Sequence, residues 1–183
     1  MTAIGIRHVV VLSCAALLSM GFAAQAVATA ANQPSAAVAA PAATKAPAQP
    51  PPSIGTPVRD GKFEFVVKKV ECGVGEVGGE YLNKRAQGQF CLVTLSVKNI
   101  GNKPQTMSDS NQKGFGANNA RYSTDSSASL YANSDGDSVW YTEINPGNEV
   151  AGVIVFDIPK DGQLLSLELH DSLFSGGVKV KLQ

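Results

Sequence analysis

The sequence predicts an all-β fold, an antiparallel two-sheet sandwich of seven or eight short strands, and three observations carry that prediction. Cys91, Val93, Leu95 and Val97 share one parity while Thr94, Ser96 and Lys98 share the other, the two-residue period of a strand with one buried face. Asn145-Pro146-Gly147-Asn148 is a turn signal that launches a β-branched run, Glu149 to Ile158, stopped by Pro159. No stretch downstream of residue 58 holds apolar residues at helical spacing for a useful length. Short strands punctuated by turns, without helices to cover them, pack sheet on sheet. About 125 residues can bury roughly two-thirds of the unfolded chain's surface, enough for an independent core.

The strands follow in order. Phe63, Phe65 and Val67 line one face of a first long strand. Lys69 then falls where an apolar residue is due, and Val70 and Cys72 take the other parity, so a β-bulge at Val67 to Lys69 is needed to keep one face buried. Gly73 to Gly79 reads as a glycine-rich loop, followed by a polar stretch to Gln87 and the clean strand around Cys91. Asn99-Ile100-Gly101-Asn102 turns the chain, and Lys103 to Met107 is a short strand. Ser108 to Ser138 is polar, with a short strand at Arg121 to Ser123 and a helical turn at Ser127 to Tyr131. Val139 to Ile144 reads as a strand. In the proline-bounded run, Val150, Gly152, Ile154, Phe156 and Ile158 form the inward face, which leaves Val153 and Val155 apolar on the other. Leu165, Leu167 and Leu169, then Val178, Val180 and Leu182, mark the last two strands.

Upstream, composition changes. Arg7 and His8 precede an apolar run from Val9 to Phe22, and Ala24-Gln25-Ala26 and Ala26-Val27-Ala28 each place small residues as a signal peptidase requires. Residues 1–28 are thus expected to be a signal peptide, with an apolar run shorter than the roughly 20 residues of a spanning helix. No transmembrane segment is expected in the mature chain. Cys14 follows Val11-Leu12-Ser13, a poor match to a lipidation box, and is read as discarded with the signal. Residues 29–57 are built from Ala, Pro, Thr, Ser and Gln and include Pro50-Pro51-Pro52, the composition of a disordered tether. The folded domain spans 58–183. Export leaves Cys72 and Cys91 as an even pair in an oxidising compartment, where a structural disulfide is expected. Its loop of about 20 residues is worth on the order of 3 kcal/mol in the chain-entropy account. With 15 basic and 15 acidic residues and no basic run longer than Lys68-Lys69 or Lys84-Arg85, the footprint of nucleic-acid binding is missing.

Two separated motifs carry a resemblance. Gly61-Lys62-Phe63 with Gly88 to Gly101 and Lys103-Pro104-Gln105 forms one, and Asn145-Pro146-Gly147 with Gly152 to Pro159 the other. Over residues 58 to 183 the chain resembles the immunoglobulin-like secreted domain of unknown function found in Gram-positive exported proteins and lipoproteins, which is similar to the mycobacterial immunoprotective extracellular antigen. The resemblance implies an immunoglobulin-like sandwich in an extracellular setting and no catalytic residues. The chain departs from the antibody pattern, because its cysteines lie on consecutive strands and its tryptophan, Trp140, comes late. Trp140 is expected in the core or at its rim.

Chemical constellations are weak. Gly73-Val74-Gly75-Glu76-Val77-Gly78 matches G-x-G-x-x-G, yet no helix follows to receive a phosphate and Glu76 would repel one. Asp135 and Asp137 flank Gly136 and offer oxygen ligands to calcium, with Asp109 and Asp125 as further candidates if the loops converge; the EF-hand spacing is absent, and turn formation is the plainer reading. Glu168 and His170 share the outward face of one strand, most simply a solvated face. Neither G-x-S-x-G nor H-E-x-x-H occurs. The sequence therefore points to a non-enzymatic extracellular or envelope module without cofactor, binding a macromolecule through a sheet edge or the 108–138 loops. A small-ligand or calcium-binding domain is the alternative.

Overall fold

The alternating runs on either side of Gly79 pair with each other, and the sandwich is built on that hairpin. The computed structural model of the protein describes residues 50–133 and 139–183. The segment expected to be a signal peptide, most of the segment expected to be a tether, Asp135 and Asp137 lie outside the described residues. Strand β2 (Phe63–Gly78) runs antiparallel to β3 (Asn83–Asn99) from the Phe63–Asn99 pair to the Gly78–Asn83 pair. The register shifts between Val67 and Lys69, where the alternation required a bulge. Beyond it, the expected glycine-rich loop is strand instead. Further shifts fall between Glu71 and Val74 and between Val74 and Glu76, and Gly73 and Gly78 adopt φ of 87° and 105°. The glycines accommodate bulges, so the ladder continues where their composition suggested a break.

On the other side of β3 lies β8 (Glu149–Ile158), paired from Lys98–Glu149 to Gln89–Ile158. The Pro146-Gly147 turn that launches β8 has Gly147 at φ 81° and a bond from the Asn148 amide to the Asn145 carbonyl, 3.0 Å, as a type II turn requires. Strand β1 (Val58–Asp60) completes the first sheet, in the order β1-β2-β3-β8. In the second sheet, β5 (Lys113–Phe115), β6 (Arg121–Ser123), β9 (Ser166–Leu169) and β10 (Val178–Lys181) are arranged β10-β9-β5-β6. Strands β4 (Gln105–Thr106) and β7 (Glu143–Ile144) form a small separate ladder. The described residues thus hold ten strands, more than the seven or eight expected. The additions are short and lie in polar sequence, where alternation gives little signal.

The core lies between the sheets. Phe63, Phe65 and Val67 meet Cys91, Val93, Leu95 and Val97, then Ile154, Phe156 and Ile158 from β8, against Leu167, Leu169 and Val180 of the facing sheet. Trp140 joins them and is 2% exposed. Its indole N–H donates to the Val153 carbonyl at 2.8 Å. The expected strand at Val139 to Ile144 is corrected by this residue: Val139–Tyr141 is a single 3-10 turn and only Glu143–Ile144 is extended. The turn swings the indole inward. Gly152 makes the room, since a Cβ there would lie 2.8 Å from the Trp140 ring and 2.4 Å from Val139.

A second, smaller apolar cluster covers the outer face of the first sheet. Helix α1 (Ser126–Ala132) places Ala128 against Val155, Phe90 and Val77, with Val153, Leu92, Val74 and Tyr131 around them. The apolar outer face of β8 is therefore covered by this helix. At the other edge, the Lys181 amide donates to the Pro52 carbonyl at 2.7 Å, and Ser53 pairs with Lys181 in parallel. Residues assigned to the tether thus extend the second sheet.

Candidate functional site

Cys72 and Cys91 are bonded, and join β2 to β3 beside the bulge at Glu71 to Val74. Cys91 is buried and Cys72 faces solvent, so the bridge pins one hairpin and does not cross the sandwich. The G-x-G-x-x-G segment is part of β2 and opens no helix.

Ser108 to Ser138, expected to supply binding loops, is largely structural in its described part. It contributes β5, β6 and α1. The Asp125 carboxylate caps α1 by accepting from the Ala128 amide at 2.9 Å and from Lys84 Nζ at 2.7 Å. Asp125 and Asp157 line an open cleft of 590 Å³ with Gln87, Tyr122 and Lys160. Both carboxylates are engaged in the fold: Asp157 accepts from the Gln87 and Gly88 amides at 2.7 and 3.1 Å. Within the same segment, Asp109 is buried and its Oδ1 accepts from the Tyr141 hydroxyl at 2.8 Å. This hydrogen bond, then burial, then the carboxylate's charge raise the Tyr141 pKa above the usual 10.0; Ser126 and Ser108 oppose the shift.

Glu168 and His170 do not form the solvated face expected of them. His170 Nε2 lies 3.0 Å from Glu168 Oε1, and Nδ1 lies 3.3 Å from Ser175 Oγ. Gly177 sits against the ring, where a Cβ would come within 2.5 Å of Cε1. A serine, a histidine and a carboxylate in line suggest nucleophilic catalysis, but the Ser175 hydroxyl donates to the Ser172 carbonyl at 3.0 Å and so closes a turn. The nearby Asp171 and Gly177 amides both point at Asp60, at 2.7 and 3.1 Å, and so are not free to hold an oxyanion. The arrangement orders the loop between β9 and β10.

That loop carries the feature sequence reasoning missed. Leu173 is 70% exposed and Phe174 94%, on a turn tied down from several directions. Asp60 holds the two amides already named, and Asp171 in turn accepts from the Lys62 amide at 2.8 Å. Lys62 Nζ lies 3.6 Å from the Asp171 carboxylate, and Ile100, whose amide donates to the Lys62 carbonyl, is exposed at the same end. Ser172-Leu173-Phe174-Ser175 has no alternation to mark it, and its exposure follows from the loop clamps.

Residues 52–180 match the family described as domain of unknown function DUF4352. Among solved structures, the chain is similar to the yjhA protein from Bacillus subtilis, at 16% identity over 72% of this chain and 99% of that one, with a TM-score of 0.55. It is also similar to MPT63, a secreted protein from Mycobacterium tuberculosis, at 14% identity over 72% of this chain and 94% of that one, with a TM-score of 0.51. At these identities the likeness is one of fold, the β-sandwich. No curated protein matches the chain.

Proposed function

The chain belongs to the DUF4352 family of domains of unknown function, and from that premise we propose that it is an exported, non-catalytic binding module of the extracellular space or cell envelope, which docks another protein through Leu173 and Phe174. The observation that carries this reading is the pairing of exposure with order. Two large apolar side chains stand in solvent on a loop whose Asp171 and Gly177 amides are clamped by Asp60 and whose Asp171 carboxylate holds the Lys62 amide. Exposed aromatic and aliphatic anchors on an ordered backbone lose little conformational entropy on binding, and such anchors dominate interface energies. A protein pocket suits this tip better than an anionic membrane. Its surroundings include Asp60, Asp171 and Glu168, and the lysines beside it, Lys62 and Lys179, lie near Asp171 and Glu168 at 3.6 and 3.7 Å, which leaves no basic cluster for headgroups.

The test uses the purified protein as bait against envelope proteins, with wild type and Leu173→Ser/Phe174→Ser compared by titration. The double variant is expected to weaken a saturable interaction about tenfold or more and to melt like wild type, because both side chains already face water. Absence of any saturable partner, or a partner indifferent to the two substitutions, would sink the reading.

A further inference from the structure

The ring of His170 is hemmed in by acceptors. Its Nε2 faces the Glu168 carboxylate at 3.0 Å, and an ionised carboxylate can only accept. Its Nδ1 faces Ser175 Oγ at 3.3 Å, and the one proton on that oxygen is already given to the Ser172 carbonyl at 3.0 Å. Ser175 Oγ also accepts from the Ser172 amide at 3.4 Å, which leaves it a lone pair for an N–H of the ring. Both ring nitrogens must therefore donate, and an imidazole with two N–H groups is the cation. Water is a poor substitute on either side. The His170 and Glu168 side chains are only 14% and 23% exposed, and Gly177 lies against the ring.

We propose that His170 is a pH-responsive latch on the loop between β9 and β10: its protonated ring bridges Glu168 to Ser175 and orders the turn that presents Leu173 and Phe174, and deprotonation loosens that turn. A neutral ring that still donates to Glu168 turns a bare lone pair toward Ser175. The serine hydroxyl then serves either Nδ1 or the Ser172 carbonyl, not both, and Glu168 keeps Lys179 Nζ, at 3.7 Å, as its counter-charge. The groups that face the latch are Glu168 on β9, Lys179 and Lys113 on the strands paired with it, Asp60 of the β1–β2 hairpin, and Asp171 with its partner Lys62. Carboxylates and lysines ordinarily hold one charge state between pH 5 and 8, and imidazole is the side chain that changes there. The ring takes its second proton in the ordered loop, so order is complete where imidazole is protonated and declines as pH rises through that interval. The response is confined to the turn. Gln112 holds the His170 amide and carbonyl at 2.7 and 3.0 Å, and Asp60 holds the Asp171 and Gly177 amides, none of which involves the ring. As a control on docking the latch rests on the proposed role of Leu173 and Phe174, which it would favour in mildly acidic surroundings.

The experiment follows the nitrogen-15-labelled full chain by nuclear magnetic resonance between about pH 5 and 8, the interval of imidazole titration. The long-range proton–nitrogen correlation of the ring, assigned by its loss in His170→Gln, should show two protonated nitrogens at the acid end and one at the alkaline end. Over the same interval the exchange protection factors of the Ser172 and Ser175 amides should fall about tenfold, the worth of one hydrogen bond to a charged group. The Asp171 and Gly177 amides should keep theirs. His170→Gln should exchange at the faster level throughout, and Ser175→Ala should keep the ring titration while losing the response of the turn. A ring with one protonated nitrogen at the acid end, or a turn equally protected at both ends, would overturn the latch in wild type alone, whatever the variants do to folding. A pH response that survives His170→Gln would overturn it too. Docking is read separately: an intact latch with a partner indifferent to Leu173→Ser/Phe174→Ser sinks the docking surface and leaves the latch standing.

Discussion

Tyr141 is where a single hydrogen bond should be readable in solution. Its hydroxyl donates to a buried carboxylate, so losing the proton would remove the bond and place two negative charges side by side. The folded-state pKa is therefore raised above 10.0, with the Asp109 hydrogen bond the leading cause. A group whose pKa is raised by folding contributes stability that is complete below its unfolded value and lost as pH climbs through the folded one. Tyr141 should thus lose its contribution only above pH 10, as the phenol ionises. The difference in ultraviolet titration between wild type and Tyr141→Phe isolates this phenol from the other tyrosines. It should titrate later than an ordinary tyrosine, and Asp109→Asn should return it to the ordinary range. A Tyr141 curve that Asp109→Asn leaves unmoved would show that the carboxylate is not the cause.

Among elements, α1 does the work that the sequence left open between loops and an interaction surface. The inward face of β8 was legible: Ile154, Phe156 and Ile158 are buried as their parity requires. Val153 and Val155 were legible only as an anomaly, because nothing in their own strand says which segment covers them. The cover is short and its register depends on tertiary bonds. Ser129 Oγ donates to the Asp125 carbonyl at 2.9 Å and accepts from the Val155 amide at 2.9 Å, so the helix also satisfies the β8 edge. Asp125→Ala removes the cap and the Lys84 partner together and should lower stability by about 1–2 kcal/mol. Hydrogen exchange should quicken more at Val155 and Ala128 than at Leu95, which lies in the middle of the first sheet. Equal acceleration at all three would mean that α1 and the sandwich open as one unit. The Gly73–Gly79 misreading has a similar origin. Glycine marks both loops and bulges, and only cross-strand pairing separates them. Trp140 was legible as core and not as a turn, since the 3-10 geometry exists to carry the indole past Gly152.

At the scale of the molecule, the open question is where the fold begins. Composition places the boundary at residue 58, because Pro50-Pro51-Pro52 and its neighbours offer little apolar surface and Pro lacks an amide for a ladder. A carbonyl is sufficient here. Pro52 accepts from the Lys181 amide at 2.7 Å, and the Gly55 amide reaches across to the Val67 carbonyl at 2.8 Å. One short segment thereby touches β10 of one sheet and β2 of the other, closing the side of the sandwich where Val58 enters the core. It also occupies the outer edge of β10, whose exposed Lys179 and Lys181 otherwise guard an unpaired row of backbone groups. A chain beginning at Val58 should therefore fold but lose about 2 kcal/mol relative to one beginning at Pro50, from two backbone bonds at roughly 1 kcal/mol each. Its freed edge should also self-associate at high concentration. Urea unfolding of the two chains, with light scattering alongside, checks both consequences. Equal midpoints and equal scattering would return the segment to the tether and place the start of the domain at residue 58.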